Sequence, residues 1–290
     1  MSETAPDRAA GPGNREAAER DGTVRALSRG LAVLQVINRG GSVTMMQISR
    51  GAGIPYPTAV RIVDTLIAEG MVEREPARKR YRPTALVRSL ASGYREADDL
   101  VAAARPVIVA LTRQLLWPVS VATRVGGMMM VQDSTHQLTS LTLHNYAPGF
   151  TLPLAECASG KVWLAHVGPE ELATIRAGLG QLPGPAERMA RLLLANDQLL
   201  KSIRAAGYAV HARNAYTATP GKTSSIAVPV FRGERIAGAL SLIFFAAAMP
   251  MREAEARYAG PLKDAAARIS DRLRARTQAP PPAPVYPSGG

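Results

Sequence analysis

The sequence predicts an α+β protein with two folded domains, and three observations support this prediction. The chain has 290 residues, whereas a single domain usually has roughly 100–200. Residues 24–95 hold twelve Lys and Arg against four acids, which sets this segment apart in a chain of net charge +12. Helical periodicity dominates up to about residue 116, and strand-like segments interleaved with helices follow. The two parts are therefore expected to fold and to act differently.

Composition argues against several classes of protein. A single cysteine, Cys157, excludes a disulfide framework and a multi-cysteine metal site built within one chain. No basic and apolar leader opens the sequence. The uncharged and largely apolar stretch Ile236 to Met251 is shorter than the roughly 20 residues that span a bilayer. We expect a cytoplasmic protein without membrane contact, bound metal or other cofactor.

Three helices are predicted in the basic segment. The first spans residues 24–38 and ends at a Gly-Gly pair. Thr44 is suited to cap a short second helix over residues 45–52. A turn at Gly53 precedes a third helix that begins near Pro55 or Pro57 and ends at Glu69, since proline is tolerated in a first turn. The residues expected to face inward are Leu27, Leu31, Leu34 and Ile37 in the first helix, Met45 and Ile48 in the second, and Val60, Val63, Leu66 and Ile67 in the third.

A basic hairpin is predicted after the third helix, with strands at residues 71–74 and 80–82 around a tip at 75–79. Three helices, a glycine turn and such a hairpin make a winged helix-turn-helix, whose third helix enters the major groove. An outward Arg can pair with guanine, and the basic hairpin suits phosphate contacts. Single basic residues are usually just solvated, but their combination favours double-stranded DNA as the partner. The predicted DNA-binding residues are Thr44, Tyr56, Thr58, Arg61, Thr65, Arg74, Arg78, Lys79 and Arg80.

A linker helix is expected from Thr84 to about Leu116, and a mixed domain follows it. Strands are predicted at residues 119–125, 128–134, 138–144, 208–213, 225–231 and 236–245, and helices from near Ser159 and over residues 170–177, 187–206 and 251–276. The predicted organisation is a disordered tail (1–22), a winged helix-turn-helix domain (23–84), a linker helix region (85–117), a second domain (118–276) and a proline-rich disordered tail (277–290).

Three stretches of the first domain read RALSRGLAVLQVI, MMQISRGAGIPYPTAVRIVDTLIAEGMVERE and KRYRPTALVRSLASGY, and the second domain contains LHNYAPGFTLPLAECASGKVWLAH. Together they resemble the IclR family of bacterial transcriptional regulators over roughly residues 24–275. Within that family, LTLHNYAPGFTLPL is most similar to the branch that controls breakdown of hydroxyphenylpropionate and related aromatic acids. The resemblance implies a GAF-like effector-binding domain, dimers through the DNA-binding part, tetramers through dimer pairing, and activation or repression by a small organic acid.

The turn Ala158-Ser159-Gly160 precedes an apolar helix, and a helix N-terminus can hold a carboxylate. A simple helix cap is the commoner explanation of such a turn. The resemblance implies that this turn belongs to the effector pocket, together with two strand serines and a polar loop residue. Leucines could supply the wall that an aromatic acid needs, or be ordinary core. The effector-binding residues so predicted are Leu143, Ser159, Gly160, Asn214, Ser225 and Ser241.

Two other functions stay open at this point. Cys157 and a histidine of the same domain could form the nucleophilic pair of a small-molecule hydrolase or transferase, although free cysteine is usually a buried small hydrophobe. The chain could also be a sensor that acts through protein partners alone. The favoured prediction is a non-enzymatic regulator that binds DNA as a homodimer or homotetramer under the control of a small, aromatic carboxylic acid.

Overall fold

The computed structural model describes residues 24–92, 96–143, 146–179, 185–217 and 219–278. The chain divides into two compact units on either side of the junction between residues 92 and 93. Residues 24–92 are called the N-terminal unit below, and the described residues from 96 on the C-terminal unit. The N-terminal tail predicted to be disordered lies outside the described residues, and so does the proline-rich tail from residue 279 on.

The N-terminal unit contains three helices and a small sheet. In chain order its elements are α1 (Arg25–Gly40), β1 (Val43–Thr44), α2 (Met45–Ala52), α3 (Tyr56–Ala68), β2 (Val72–Arg74) and β3 (Arg80–Pro83). The strands pair antiparallel in the order β1-β3-β2. A 3₁₀ helix, Ala85–Ala91, follows the hairpin. Three helices and a basic hairpin are the winged helix-turn-helix that the sequence predicted.

Local sequence explains where α2 begins and ends. Thr44 caps it as predicted, because its Oγ1 accepts from the backbone N–H of Gln47 at 3.3 Å while Gln47 Oε1 accepts from the Thr44 N–H at 2.9 Å. This reciprocal capping satisfies two amide donors that the first turn leaves without partners. Gly53 ends the helix at a φ of +63°, a left-handed conformation that favours glycine. The left-handed backbone of Gly53 allows the tight turn from α2 into α3.

The core of this unit differs from the predicted set at three positions. Leu27 and Leu31 are 60% and 51% exposed, so the expectation that they face inward is wrong. The buried residues of α1 begin at Val33, which leaves its first two turns outside the core. In α3, Ile67 is exposed and Ala59 is fully buried instead. The buried core consists of Val33, Leu34, Ile37, Val43, Met45, Ile48, Ile54, Ala59, Val63 and Val72.

The C-terminal unit is a six-stranded antiparallel sheet with helices on both faces. Its elements are α4 (Glu96–Leu115), β4 (Val119–Val125), β5 (Met128–Ser134), β6 (Thr151–Pro153), α5 (Ala158–His166), α6 (Pro169–Leu179), α7 (Pro185–Ala195), α8 (Asp197–Ala206), β7 (Ala209–His211), β8 (Thr223–Arg232), β9 (Arg235–Phe245) and α9 (Met251–Gln278). The strand order is β6-β5-β4-β9-β8-β7. One apolar cluster joins α4 and α9 to the sheet, and a second joins α5, α7 and α8 to it.

Three predicted elements of this unit need correction. Residues 138–144 form no strand where they are described, and the edge strand is β6, further along the chain. The helix expected over residues 187–206 is broken in two, because the Asn196 side chain accepts from the Leu199 N–H at 2.9 Å and caps α8. The linker is a 3₁₀ helix followed by α4 rather than one helix. Among the described residues, no helix is both long and apolar enough to cross a membrane.

Candidate nucleic-acid interface and ligand cavity

The exposed face of α3 carries side chains that can reach a DNA groove. Arg61 and Thr65 are exposed as predicted, and Tyr56, at the start of the helix, is 48% exposed. Thr58 is only half exposed. The Thr65 hydroxyl donates to the Arg61 carbonyl at 2.9 Å, so its own helix already provides one of its partners. Arg61 therefore remains the side chain best suited to read a base edge.

Sequence reasoning missed one residue of this face. Asp64 is exposed and lies three positions after Arg61, which places both on the same side of α3. A carboxylate there can accept from the amino group of cytosine. Helical spacing places Asp64 on the same face of α3 as Arg61. It was missed because the sequence was searched for positively charged residues.

The basic hairpin contains two kinds of arginine. Arg78 and Lys79 at its tip, and Arg74 in β2, are exposed and suited to phosphate contacts. Arg80 is instead tied to the chain between α1 and α2, because its Nε donates to Ser42 Oγ at 2.9 Å and its Nη2 to the Ser42 carbonyl at 2.6 Å. Arg80 thus holds β3 in place beside the helices, and Thr44 similarly serves the start of α2.

A small cavity lies on the sheet face that carries α5, with a volume of about 50 Å³. We call it the effector cavity. Its aromatic walls are His136, Tyr146 and Phe150, and aliphatic side chains together with hydroxyl and amide groups line the rest. Pockets with apolar walls and a few fixed polar groups are typical of small-molecule sites. The polar residues that line it include Thr217, Ser225 and Asn214.

Two polar atoms of this cavity have no hydrogen-bond partner within the described part of the chain: His136 Nε2 and Tyr146 Oη, both buried. The two rings meet edge to face with centroids 4.8 Å apart, and Tyr146 also lies 4.7 Å from Phe150. Burial lowers the pKa of His136 to about 4, so its imidazole is neutral near pH 7. An unpaired buried polar group costs about 1–3 kcal/mol, and a ligand with matching polar groups would remove that cost.

The structure places two of the predicted effector-binding residues at this cavity. Asn214 and Ser225 line it. The Asn214 side chain is already engaged, because its Nδ2 donates to the Glu156 carbonyl at 2.8 Å and its Oδ1 accepts from the Tyr216 N–H at 2.8 Å. Ser241 is buried in β9 without lining the cavity, and Leu143 is 45% exposed away from it.

The turn at Ser159 and Gly160 does not line the cavity. Gly160 is packed so tightly that a Cβ there would overlap the Leu154 carbonyl oxygen. Ser159 Oγ donates to Cys157 Sγ at 3.3 Å and is buried. The glycine therefore allows α5 to approach the preceding chain closely, a role that needs no ligand.

Cys157 has the environment of a core residue. It is buried, and burial raises the pKa of its thiol, which disfavours the thiolate that a nucleophile needs. Its thiol donates a weak hydrogen bond to the Pro153 carbonyl oxygen, with Sγ and O 3.4 Å apart. In the parts of the chain that the structure describes, no group of three or more His, Cys, Asp or Glu could hold a metal ion. Neither finding supports the hydrolase hypothesis.

Comparison with known families decides between the remaining functions. The family model described as the C-terminal domain of the bacterial transcriptional regulator IclR matches residues 93–271, and that of the IclR helix-turn-helix domain matches residues 26–76. The chain belongs to the IclR family. It is a transcriptional regulator with a DNA-binding helix-turn-helix, in a family of regulators rather than enzymes.

Curated relatives are distant. The HTH-type transcriptional regulator BhcR of Paracoccus denitrificans is 28% identical over 235 residues, which cover 76% of this chain and 78% of BhcR. The transcriptional repressor IclR of Escherichia coli is 25% identical over 169 residues, 54% of this chain and 59% of the repressor. This IclR-family chain thus matches the second relative over just over half of that relative's length.

Solved structures agree on the fold. An IclR homologue from Microbacterium hydrocarbonoxydans, crystallised in complex with 4-hydroxybenzoate, matches with a TM-score of 0.60 and 25% identity over 86% of this chain and 99% of its own. The IclR protein of Thermotoga maritima matches with a TM-score of 0.57 and 21% identity over 86% of this chain and 98% of its own. The α+β architecture with an N-terminal winged helix-turn-helix is therefore that of IclR regulators.

Proposed function

We propose that this IclR-family regulator binds an operator as a homodimer or homotetramer, and that a small aromatic carboxylic acid in the effector cavity modulates this binding. The observation that carries the proposal is the pair of unpartnered polar atoms, His136 Nε2 and Tyr146 Oη, in an aromatic-walled cavity. Buried polar groups in native proteins are nearly always hydrogen-bonded, so such a pair indicates a missing partner.

The chemistry of the walls selects the ligand class. Tyr146 and Phe150 offer ring edges and faces to an aromatic body. A carboxylate oxygen can accept from the hydroxyls of Tyr146 and Ser225. The 4-hydroxybenzoate bound to the Microbacterium relative belongs to this class of molecule. The stretch LTLHNYAPGFTLPL resembles the branch of the family that controls the breakdown of aromatic acids, and this resemblance also supports the assignment.

An exposed apolar surface supports the oligomer. Leu27 and Leu31 on α1 are 60% and 51% exposed, and Leu86 and Leu90 on the 3₁₀ helix are 46% and 62% exposed. Apolar side chains gathered on the surface of one small unit commonly mark a protein interface. Pairing two N-terminal units would present two copies of α3 to half-sites about one DNA turn apart. As a DNA-binding regulator, the protein is expected to act in the cytoplasm.

The test combines ligand titration with operator binding. Calorimetric titration with 4-hydroxybenzoate is expected to give saturable binding, and the ligand is expected to shift the affinity for the operator selected by the protein from random DNA. Ser225→Leu fills the cavity and should remove the binding of 4-hydroxybenzoate that depends on the Tyr146 hydroxyl, together with its effect on operator affinity. Tyr146→Phe removes one hydroxyl and should weaken binding about tenfold, because a hydrogen bond to a charged group contributes roughly that much.

Leu143→Ala is the matched control, because Leu143 lies in the same unit but outside the cavity. It should leave ligand affinity unchanged. Undiminished binding of 4-hydroxybenzoate by a folded Ser225→Leu protein would remove the effector cavity from the proposal, and the DNA-binding assignment would stand.

A further inference from the structure

A second concave site, larger than the effector cavity, lies where α5 turns into α6. This cleft has a volume of about 730 Å³, within the range of small-molecule sites. Its walls come from α4, the end of β4, the α5–α6 turn and the β8–β9 hairpin, all within the C-terminal unit. It shares no lining residue with the effector cavity. The two sites are therefore separate.

Two residues that line this cleft each have a buried hydrogen-bond donor without a partner within the described ranges. Trp163 is 8% exposed and lines the cleft, and its indole Nε1 has no acceptor. The Nε of Arg232, on the β8–β9 hairpin, has none either. Both atoms can only donate. The missing partner is therefore an acceptor, and beside a guanidinium a carboxylate is the favoured one.

Among the other charged groups that line the cleft, Arg235 is exposed to solvent, and the rest are paired or acidic. Arg124 is engaged by Glu171, with Nη2 and Oε1 2.8 Å apart. Glu170 and Glu234 at the rim repel an anion unless it lies close to the arginines. Leu100, Val167 and Ile236 add apolar wall. A ligand that fits these walls carries one carboxylate on an apolar body.

We propose that this cleft is a second ligand site, for a small organic carboxylate with an apolar body, and that its occupation acts on α4. Arg232 also faces Asp99 of α4, with Nη2 and Oδ2 3.7 Å apart, and Leu100 of the same helix lines the cleft. A carboxylate bound to Arg232 competes with Asp99 for one guanidinium. The contact that holds the start of α4 against the hairpin weakens when the ligand binds, and α4 follows the segment that connects to the DNA-binding unit.

The first experiment separates the two sites, with benzoate as the probe. Calorimetric titration of Ser225→Leu, whose effector cavity is filled, should still show saturable binding of benzoate. Adding Gly168→Leu should abolish it, because Gly168 lines the cleft and has no atom within 4 Å of where its side chain would begin. Gly178→Leu is the matched control, since Gly178 lies equally open in α6 but outside the cleft. It should leave binding unchanged.

The second experiment tests the donors. The chain has two tryptophans, so their indole N–H signals can be followed separately by NMR in the wild-type chain, and benzoate should move the signal of Trp163. Arg232→Lys keeps the charge but removes Nε, and should weaken benzoate binding about tenfold. Asp99→Asn removes the competitor and should strengthen it. Benzyl alcohol, which has the ring but no carboxylate, should not bind.

Two outcomes would overturn the proposal. One is the absence of saturable benzoate binding, both in Ser225→Leu and at the Trp163 signal of the wild-type chain. The other is binding that Gly168→Leu and Arg232→Lys both leave unchanged. Neither outcome touches the effector cavity, whose own test uses Tyr146→Phe and Ser225→Leu with 4-hydroxybenzoate.

Discussion

The N-terminal and C-terminal units place their functional groups in opposite surroundings. The N-terminal unit, residues 24–92, has no histidine, cysteine or tryptophan, and its predicted DNA-binding side chains lie at its surface. The chain from residue 96 on holds all four histidines, both tryptophans and the single cysteine. Its unpartnered polar atoms are buried, several of them beside cavities. A surface that binds DNA needs exposed charged side chains. A ligand site needs buried polar groups whose hydrogen-bond partner is the ligand.

The largest expected effect tests how tightly the C-terminal unit is packed. Gly160→Ala should destabilise this unit by about 3 kcal/mol or more, because the new Cβ overlaps the Leu154 carbonyl oxygen and backbone must move. Tryptophan fluorescence during urea unfolding measures it, since Trp117 and Trp163 both lie in this unit. Gly178→Ala, with open space around the new methyl group, is the control and should change stability by less than about 1 kcal/mol. Equal stabilities would show that α5 is not packed as described.

The same glycine shows what the sequence could not provide. Small residues before a helix suggested room for a ligand oxygen, but the room at Gly160 is taken by the backbone of Leu154. The turn is local in sequence, and its neighbour is set by tertiary packing. The unpartnered atoms His136 Nε2 and Tyr146 Oη were missed for a related reason. They come from chain between β5 and β6 that has no regular pattern, and only the fold brings them to one cavity.

Elements with a clear period were easier to predict. The alternation of β4 and β5 and the glycine-bounded helices of the N-terminal unit are found at nearly the predicted residues. Periodicity gave the wrong answer for Leu27 and Leu31, because an apolar stripe on a helix does not reveal how far the core extends along it. Exposed charge on α3 could be predicted since it depends only on local helix geometry.

Lowering the pH should destabilise the C-terminal unit and leave the stability of the N-terminal unit nearly unchanged. Burial lowers the pKa of His136 from its ordinary value near 6.5 to about 4, and that of His211 likewise to about 4. Below pH 6.5 the unfolded chain binds protons that the folded chain does not. Stability is therefore fully present above that pH and is lost as pH falls towards 4. For His136 this amounts to at most about 3 kcal/mol.

The measurement is the urea midpoint followed by tryptophan fluorescence at about pH 7 and about pH 5, which spans most of the range between the two pKa values. His136→Phe should reduce the pH dependence, and the part that remains is due to His211, whose pKa is also lowered to about 4. The N-terminal unit has no histidine. Its affinity for the operator is therefore not expected to change over this pH range. A urea midpoint of the C-terminal unit that does not move with pH would contradict the neutral, buried state of these imidazoles.

Two arginine substitutions in the N-terminal unit distinguish contacts to bases from contacts to phosphates. Arg61→Ala should weaken specific binding by roughly 1–3 kcal/mol and relax the preference at one position of each half-site. Arg78→Ala should weaken all sequences alike and lower the salt dependence, since a phosphate contact carries no sequence information. Titrations of operator and random DNA at several salt concentrations distinguish them. Loss of sequence preference in Arg78→Ala but not in Arg61→Ala would mean that α3 faces DNA differently.

The smallest expected effect tests whether the two units unfold separately. Thr44→Ala removes the hydroxyl that caps α2 and should cost the N-terminal unit about 1 kcal/mol. Thr65→Ala is the matched control, because its hydroxyl only bonds back to the Arg61 carbonyl within α3. Circular dichroism follows the helices of both units, whereas tryptophan fluorescence follows the C-terminal unit alone. An early loss of helix signal at an unchanged fluorescence midpoint is the expected result for Thr44→Ala. If both signals shift together, the units unfold as one cooperative body, and the acid sensitivity of the histidine-bearing unit would then extend to the DNA-binding unit as well.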